Sequence, residues 1–367
     1  MKSSIASMTP SSTSSPDELE SELVRIWEAG LGKQGIGIQD SFWDLGGQSF
    51  IALRMMRRIE KEFGKSLPIT VLFQAPTIEK LAQLLRQSEW SPTWSSLVPL
   101  QAAGSSPPFF CVHGIGGLIV GFRDLARHLG PDQPMYGLQA QGTDGGHSIL
   151  TRVEDMAAHY LQELRSVQPH GPYYLGGLSF GGWVAYEMAQ QLRAEGEQVG
   201  LLALIDTYAV KWSKGALILR LFRLPPRDSL GHVLRRTVRY FKEATIAIQF
   251  LFLPRPLKEV RKALHRASDA YLPRPYSGKI TLFRASQKSV RNFGDPQTEW
   301  SGLAAGELQV QEIPADHNNI LWEPQVIALA QQLKACLQKS QQEIMDRQKG
   351  QDQLRNPIDD PIQPSVR

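Results

Sequence analysis

Tyr173-Tyr174-Leu175-Gly176-Gly177-Leu178-Ser179-Phe180-Gly181-Gly182-Trp183-Val184-Ala185-Tyr186-Glu187-Met188 is the stretch on which the fold turns. An apolar run with strand character enters a turn, Gly177-x-Ser179-x-Gly181, and leaves as a helix. Working outward, the same alternation recurs. Short apolar runs at 108–113, 172–176, 199–205, 279–284 and 307–313 predict strands, and 153–167, 180–195 and 324–338 predict helices. Short apolar strands separated by helices imply a mostly parallel sheet covered on both faces. The fold class expected is therefore α/β over residues 108–340, preceded by a separate helical segment.

A strand–turn–helix with this spacing lifts Ser179 onto a strained elbow at the top of a sheet, where its hydroxyl can act as a nucleophile. Gly177 and Gly181 are expected because side chains there would collide across the tight turn. Upstream, Phe110-Cys111-Val112-His113-Gly114-Ile115-Gly116-Gly117 reads as a strand ending in a glycine-rich loop. That is where an oxyanion hole takes its second backbone N–H, the first coming from the residue after the nucleophile, so Ile115 and Phe180 are the expected donors. His113 precedes the serine and ends a strand beside the hole, which favours a structural hydrogen bond over a role as base. In the order Ser…Asp/Glu…His the base comes last, and of eight histidines only His232, His265 and His317 follow Ser179. His232 and His265 lie among Arg and Lys. His317 lies in a loop after a strand and before the last helix, where a base is expected. For the acid, Asp206 ends the strand 199–205, Asp295 follows the strand 279–284, and Asp316 reads as a loop residue; the residues alone leave Asp206 and Asp295 open.

The N-terminal part has a different rhythm. Residues 1–16 are Ser/Thr-rich and read as a flexible segment, and 17–88 read as a small bundle of three to four helices. Leu19, Leu23, Ile26 and Trp27 mark its first helix; Leu53, Met56, Ile59 and Phe63 mark one face of its second, with Arg54, Arg57, Arg58 and Lys61 elsewhere; Ile78, Leu81 and Leu85 mark its last. Between the first two lies Asp44-Leu45-Gly46-Gly47-Gln48-Ser49. Ser49 opens a helix, whose free N–H groups and positive dipole end suit a phosphodiester, and the two glycines would let a modifying enzyme approach closely. Residues 89–107, rich in Ser, Pro and Gly, read as a linker, and 341–367 as a polar tail.

Composition bounds the rest. The 367 residues carry a formal net charge of +4. Between Thr207 and Tyr271 there are 14 Lys/Arg against 4 Asp/Glu. With no recognisable nucleic-acid motif, this insert reads as a docking or lid surface, and no nucleic-acid partner is expected. Two cysteines, Cys111 and Cys336, give neither a disulfide framework nor a metal cluster, so no metal is expected. The leading residues lack the apolar core of a secretory signal, and the longest apolar run, Ile246 to Leu253, falls far short of a span of about 20 residues. The expectation is a cytoplasmic protein with no membrane partner.

Two resemblances sharpen this reading. The run from Asp40-Ser41-Phe42-Trp43-Asp44-Leu45 through Leu67-Pro68-Ile69-Thr70-Val71-Leu72-Phe73-Gln74-Ala75-Pro76-Thr77-Ile78 resembles the peptidyl or acyl carrier domains of nonribosomal peptide and polyketide synthetases, although Gln48 replaces the His or Asp common there. The resemblance implies 4'-phosphopantetheine attached covalently to Ser49 by a phosphopantetheinyl transferase. From about Ser95 to Ala330 the chain resembles the type I thioesterase domains that end such assembly lines. The residues that carry this are Val98-Pro99-Leu100-Gln101, the run 110–117, Gly177–Gly182, Leu204-Ile205-Asp206-Thr207-Tyr208, Tyr276-Ser277-Gly278-Lys279 and Asp316-His317-Asn318-Asn319. In that family the acid follows the strand that carries Asp206, so the resemblance implies Asp206 over Asp295. It also implies an α/β-hydrolase whose helical lid is the insert 208–270, preceded by a four-helix carrier bundle.

Together they imply a serine thioesterase that releases an acyl or peptidyl chain from its own carrier by hydrolysis or cyclisation. An upstream synthetase module acting in trans is the expected source of that chain. The alternatives are a transacylase passing the chain to a partner nucleophile, or a carrier and docking module with a slow editing hydrolase.

Overall fold

A computed structural model of the chain describes residues 17–87, 94–209, 253–287 and 296–355. The N-terminal segment 1–16, His232, Asp295, the greater part of the lid insert and the tail beyond 355 lie outside the described residues. The chain divides into two compact units, Met1–Trp94 and Ser95–Arg367.

The first unit holds helices α1 (Glu18–Leu31), α2 (Ser49–Phe63), α3 (Val71–Gln74) and α4 (Ile78–Arg86). Local chemistry sets their ends. The Asp17 carboxylate accepts the Glu20 N–H at 2.9 Å, and Thr77 accepts the Lys80 N–H at the start of α4. Gly32 and Gly64 close α1 and α2 in left-handed conformation. Leu23, Trp27, Phe42, Ile59, Leu72, Ile78 and Leu81 form the core, with the Phe42 ring edge-on to Trp27 at 5.5 Å and to Trp43 at 5.0 Å. The buried face of α2 is Ala52, Met55, Met56 and Ile59, rotated slightly from the expected one, so that Leu53 is half-buried at its edge. Arg54, Arg57, Arg58 and Lys61 face solvent.

The second unit is built on a seven-stranded sheet in the order β1-β3-β2-β4-β5-β6-β7. Its strands are β1 (Leu97–Gln101), β2 (Phe109–Val112), β3 (Met135–Leu138), β4 (Tyr173–Leu178), β5 (Val199–Ile205), β6 (Ile280–Ala285) and β7 (Leu308–Ile313). All neighbours run parallel except β1, which pairs antiparallel with β3 at the edge. Among the described residues its helices are α5 (Arg123–Leu129), α6 (Val153–Arg165), α7 (Phe180–Ala194), α8 (Arg255–Ala270), α9 (Pro296–Trp300) and α10 (Gln325–Arg355). Helices α6 and α7 pack together, with α7 along β2, β4 and β5; α5 and α10 pack together, with α10 against β5 and β7. This is the α/β-hydrolase architecture.

Two boundaries read from the sequence need correction. The expected linker 89–107 contains β1, an edge strand in which Pro99, lacking an N–H, costs no ladder bond on the solvent side. The expected polar tail from 341 is helical as far as Arg355, because Ile344 is buried and the Ser340 hydroxyl donates to the Gly200 carbonyl at 2.7 Å.

Candidate active site

The sheet register brings the site together. Leu178 of β4 pairs with Ile205 of β5, so Ser179 and Asp206 are the next residues on adjacent strands at one edge. Both leave the sheet with left-handed backbones, Ser179 at φ 54° and Asp206 at φ 43°. Such conformations in non-glycine residues cost on the order of 1–3 kcal/mol and persist only where neighbours over-determine them. The neighbours are visible: Ser179 N–H donates to Ile205 O at 2.8 Å, and Asp206 N–H donates to Phe283 O at 2.7 Å.

Three glycines clear the elbow. A Cβ on Gly177 would lie 2.1 Å from the Gly181 carbonyl oxygen, the collision across the turn that the sequence predicts. A Cβ on Gly181 would instead meet the carbonyls of His113 and Val112 at 2.2 and 2.4 Å, so this glycine serves the close approach of α7 to the end of β2. A Cβ on Gly182 would lie 1.9 Å from the Thr207 hydroxyl oxygen.

Asp206 and His317 meet across 111 residues of sequence. The His317 Nδ1–H donates to Asp206 Oδ2 at 2.6 Å, with side chains 13% and 0% exposed. The other carboxylate oxygen accepts the Ala285 N–H at 3.0 Å, and the Tyr208 hydroxyl donates to Oδ2 at 3.1 Å. A carboxylate fixed by these donors holds the imidazole with its proton on Nδ1, leaving Nε2 as the basic nitrogen. Asp316, beside the histidine, shapes the loop: its Oδ1 accepts the N–H groups of Asn318 and Asn319 at 2.8 and 3.2 Å. His265 is exposed on α8.

Ile115 lies in the loop after β2, and Phe180 is the first residue of α7, where an N–H has no acceptor within the helix. His113 follows β2 and is fully buried. Its Nδ1–H donates to Gly114 O at 2.7 Å, its Nε2 accepts the Tyr160 hydroxyl at 2.9 Å, and its ring stacks on Phe180 at 6.0 Å. Burial lowers its pKa to about 4, so the imidazole is neutral and fully engaged. It is a structural histidine.

In the first unit, Ser49 opens α2. The N-cap residue Gln48 is extended and makes no side-chain cap bond, and the first turn carries no acidic residue. Gly46 holds φ 86°, and a Cβ on Gly47 would lie 2.2 Å from the buried Phe42 ring. The glycines thus answer to the loop's own packing, beyond any approach by an enzyme. An uncapped helix start behind a tight glycine turn fits a phosphodiester on Ser49.

Tyr160, Thr207 and Tyr208 also stand at the site, through their bonds to His113, Ser179 and Asp206, without a motif of their own. Thr207 and Tyr208 are signalled by the run Leu204–Tyr208 and by their adjacency to Asp206, whereas nothing in the sequence singles out Tyr160. Among the described residues no cluster of His, Cys, Asp and Glu is arranged to hold a metal ion, and no helix is long and apolar enough to cross a membrane.

Comparison with known proteins agrees with this architecture. Residues 107–337 match the family model for the thioesterase domain, and residues 21–85 match that for the phosphopantetheine attachment site. A dimodular nonribosomal peptide synthase of Bacillus subtilis is 44% identical over 317 residues, covering 80% of this chain and 13% of that protein. Malpibaldin synthetase of Mortierella alpina is 34% identical over 305 residues, covering 82% of this chain and 5% of that protein. The chain therefore spans a small fraction of the length of the curated relatives it matches. The crystal structure of holo-AB3403, a four-domain nonribosomal peptide synthetase bound to AMP and glycine, matches with a TM-score of 0.56 at 28% identity, over 91% of this chain and 27% of that one. The chain belongs to the thioesterase domain family, joined to a carrier domain of the phosphopantetheine attachment family that takes 4'-phosphopantetheine.

Proposed function

We propose that the protein releases an acyl or peptidyl chain from its own carrier domain through an acyl-enzyme on Ser179, with His317 as base and Asp206 as its orienting acid. The observation that carries the reading is the His317–Asp206 hydrogen bond of 2.6 Å at the sheet edge where the Ser179 elbow lies. Ser49 would hold the phosphopantetheine at the start of α2, and that group supplies the thiol on which a chain is borne as a thioester.

The protein's own residues then act in sequence. His317 Nε2 takes the Ser179 proton as Oγ bonds to the thioester carbonyl carbon. The N–H groups of Ile115 and Phe180 hold the oxyanion, a contribution worth on the order of 10²–10³ in rate per donor. His317 would then return its proton to the departing thiolate as the C–S bond breaks, leaving the chain esterified to Ser179. His317 next takes a proton from water or from a nucleophile of the chain itself as it attacks the ester carbonyl, and returns that proton to Ser179 Oγ as the ester C–O bond breaks, which gives hydrolysis or cyclisation. Asp206, buried and carrying three donors, keeps the imidazole oriented throughout.

The test loads the phosphopantetheinylated protein with an acyl group and follows intact mass. Ser179→Ala should retain the acyl group while the wild type sheds it, and Ser49→Ala should never gain the phosphopantetheine mass. Prompt release by Ser179→Ala would overturn the assignment.

A further inference from the structure

We infer that Thr207 is a positioning residue that aims one of the two oxyanion donors; this rests on the reading of Ser179 as nucleophile and Phe180 N–H as donor. The Thr207 hydroxyl donates to the Ser179 carbonyl oxygen at 3.1 Å, and the side chain is almost fully buried. That carbonyl belongs to the same peptide plane as the Phe180 N–H. In a trans peptide the C=O and the N–H point in opposite directions, so fixing one fixes the other. Thr207 therefore acts on the oxyanion through a rigid plane, without touching substrate.

The plane needs holding. Ser179 sits at φ 54° and ψ −111°, and without anchors it would relax toward a commoner conformation, turning the peptide that follows it. Two donors converge on the Ser179 carbonyl: Gly182 N–H at 3.1 Å from within α7, and the Thr207 hydroxyl at 3.1 Å from the end of β5. Only the second ties the plane to another element. A competing acceptor, Ile205 O, lies 3.4 Å from the same hydroxyl, but it already accepts the Ser179 N–H at 2.8 Å. The shorter bond to Ser179 is the one the hydroxyl proton serves.

The seat is built for this side chain. A Cβ on Gly182 would fall 1.9 Å from Thr207 Oγ1 and 2.9 Å from its methyl carbon, so the first turn of α7 leaves open the volume that Thr207 fills. Asp206 and Thr207 thus divide the site, the first orienting His317 and the second orienting the Ser179–Phe180 peptide.

The experiment uses two substitution pairs that each differ by a hydroxyl: wild type against Thr207→Val, and Thr207→Ser against Thr207→Ala. Hydrolysis of a small soluble acyl thioester by the full chain gives kcat and KM, and a boronic acid whose tetrahedral adduct offers an oxygen to the oxyanion site gives an inhibition constant. Thr207→Val should lose roughly tenfold in kcat at unchanged KM and bind the boronic acid roughly tenfold more weakly, a fraction of the 10²–10³ for deleting a donor. Thr207→Ser should keep most of the activity that Thr207→Ala loses. Wild-type kcat in Thr207→Val, or equal losses in Ser and Ala, would overturn the inference in favour of simple packing. If Thr207→Val fails to fold, the Ser/Ala pair decides, and collapse of both is also the packing result. Ser179→Ala is run alongside. Activity in that variant sinks the nucleophile assignment, whereas an inert Ser179→Ala beside a normal Thr207→Val sinks the present inference alone.

Discussion

Acidification should destabilise the thioesterase unit through one buried imidazole. His113 is held at about pKa 4 by burial, against an ordinary 6.5 in the unfolded chain. Between those values the unfolded state binds the extra proton, so stability rises with pH across this window and is lost as the pH falls through it. From about pH 7.5 to about pH 5, at 1.36 kcal/mol per unit, the integrated loss is about 2 kcal/mol. For a domain of this size that amounts to a drop in Tm of about 4–8 °C. The assay is calorimetry on the full chain and on His113→Gln at both pH values. Glutamine keeps a donor and an acceptor but does not titrate, so every other ionising group cancels in the difference. The wild type should lose about 2 kcal/mol more than the variant on acidification. A histidine-labelled NMR titration should also show one imidazole still neutral at about pH 5. Parallel losses in the two proteins, or eight histidines all protonated at about pH 5, would refute the reasoning.

Two further outcomes are expected. Asp206→Asn should lose far more turnover than Asp295→Asn, since the amide would offer the His317 Nδ1–H a weaker acceptor and permit the wrong tautomer; the orienting carboxylate of a triad is worth about 10⁴ in kcat. Steady-state kinetics on both variants decides it, and the reverse order would move the acid to Asp295. In the carrier unit, Gly47→Ala drives a methyl into the Phe42 ring, which Trp27 and Trp43 hold from two sides. It should destabilise that unit by about 1–3 kcal/mol and slow phosphopantetheinylation, read by melting and by intact mass. A variant that melts and loads like the wild type would show that the ring is free to yield.

The elements legible in the sequence were those whose side chains all report one environment. Strands β2, β4 and β5 are buried on both faces and read as continuous apolar runs, and α7 follows its turn without a break. Strand β1 was obscured because an edge strand with a half-exposed pattern and Pro99 looks like a linker. Strand β3 has four residues, Met135–Leu138, and too short a run to show a period. The end of α10 was obscured because a polar helix on a surface reads as a tail until a single apolar residue, Ile344, is found packed. At the site, Ser179 and His317 announce themselves by motif and by position in the chain order. Asp206 did not, because Asp295 also follows a strand in the sequence, and it is the pairing of β4 with β5 that sets Asp206 beside the elbow.

Thr207 shows why such residues escape motif reading. Its chemistry is a hydroxyl donating to a backbone carbonyl, which any buried threonine can offer, and what sets it apart is that the carbonyl is that of Ser179. The clue was on the other partner: Gly182, one residue beyond the Gly-x-Ser-x-Gly spacing, has no turn to justify it and no positive φ. A helical glycine costs roughly 0.5–1 kcal/mol relative to alanine, so its presence in the first turn of α7 argues for something that occupies its Cβ position. That occupant is Thr207, at 1.9 Å. Unexplained glycines flanking a catalytic turn are thus pointers to the side chains that brace it, and the brace is found by asking what the missing methyl would strike.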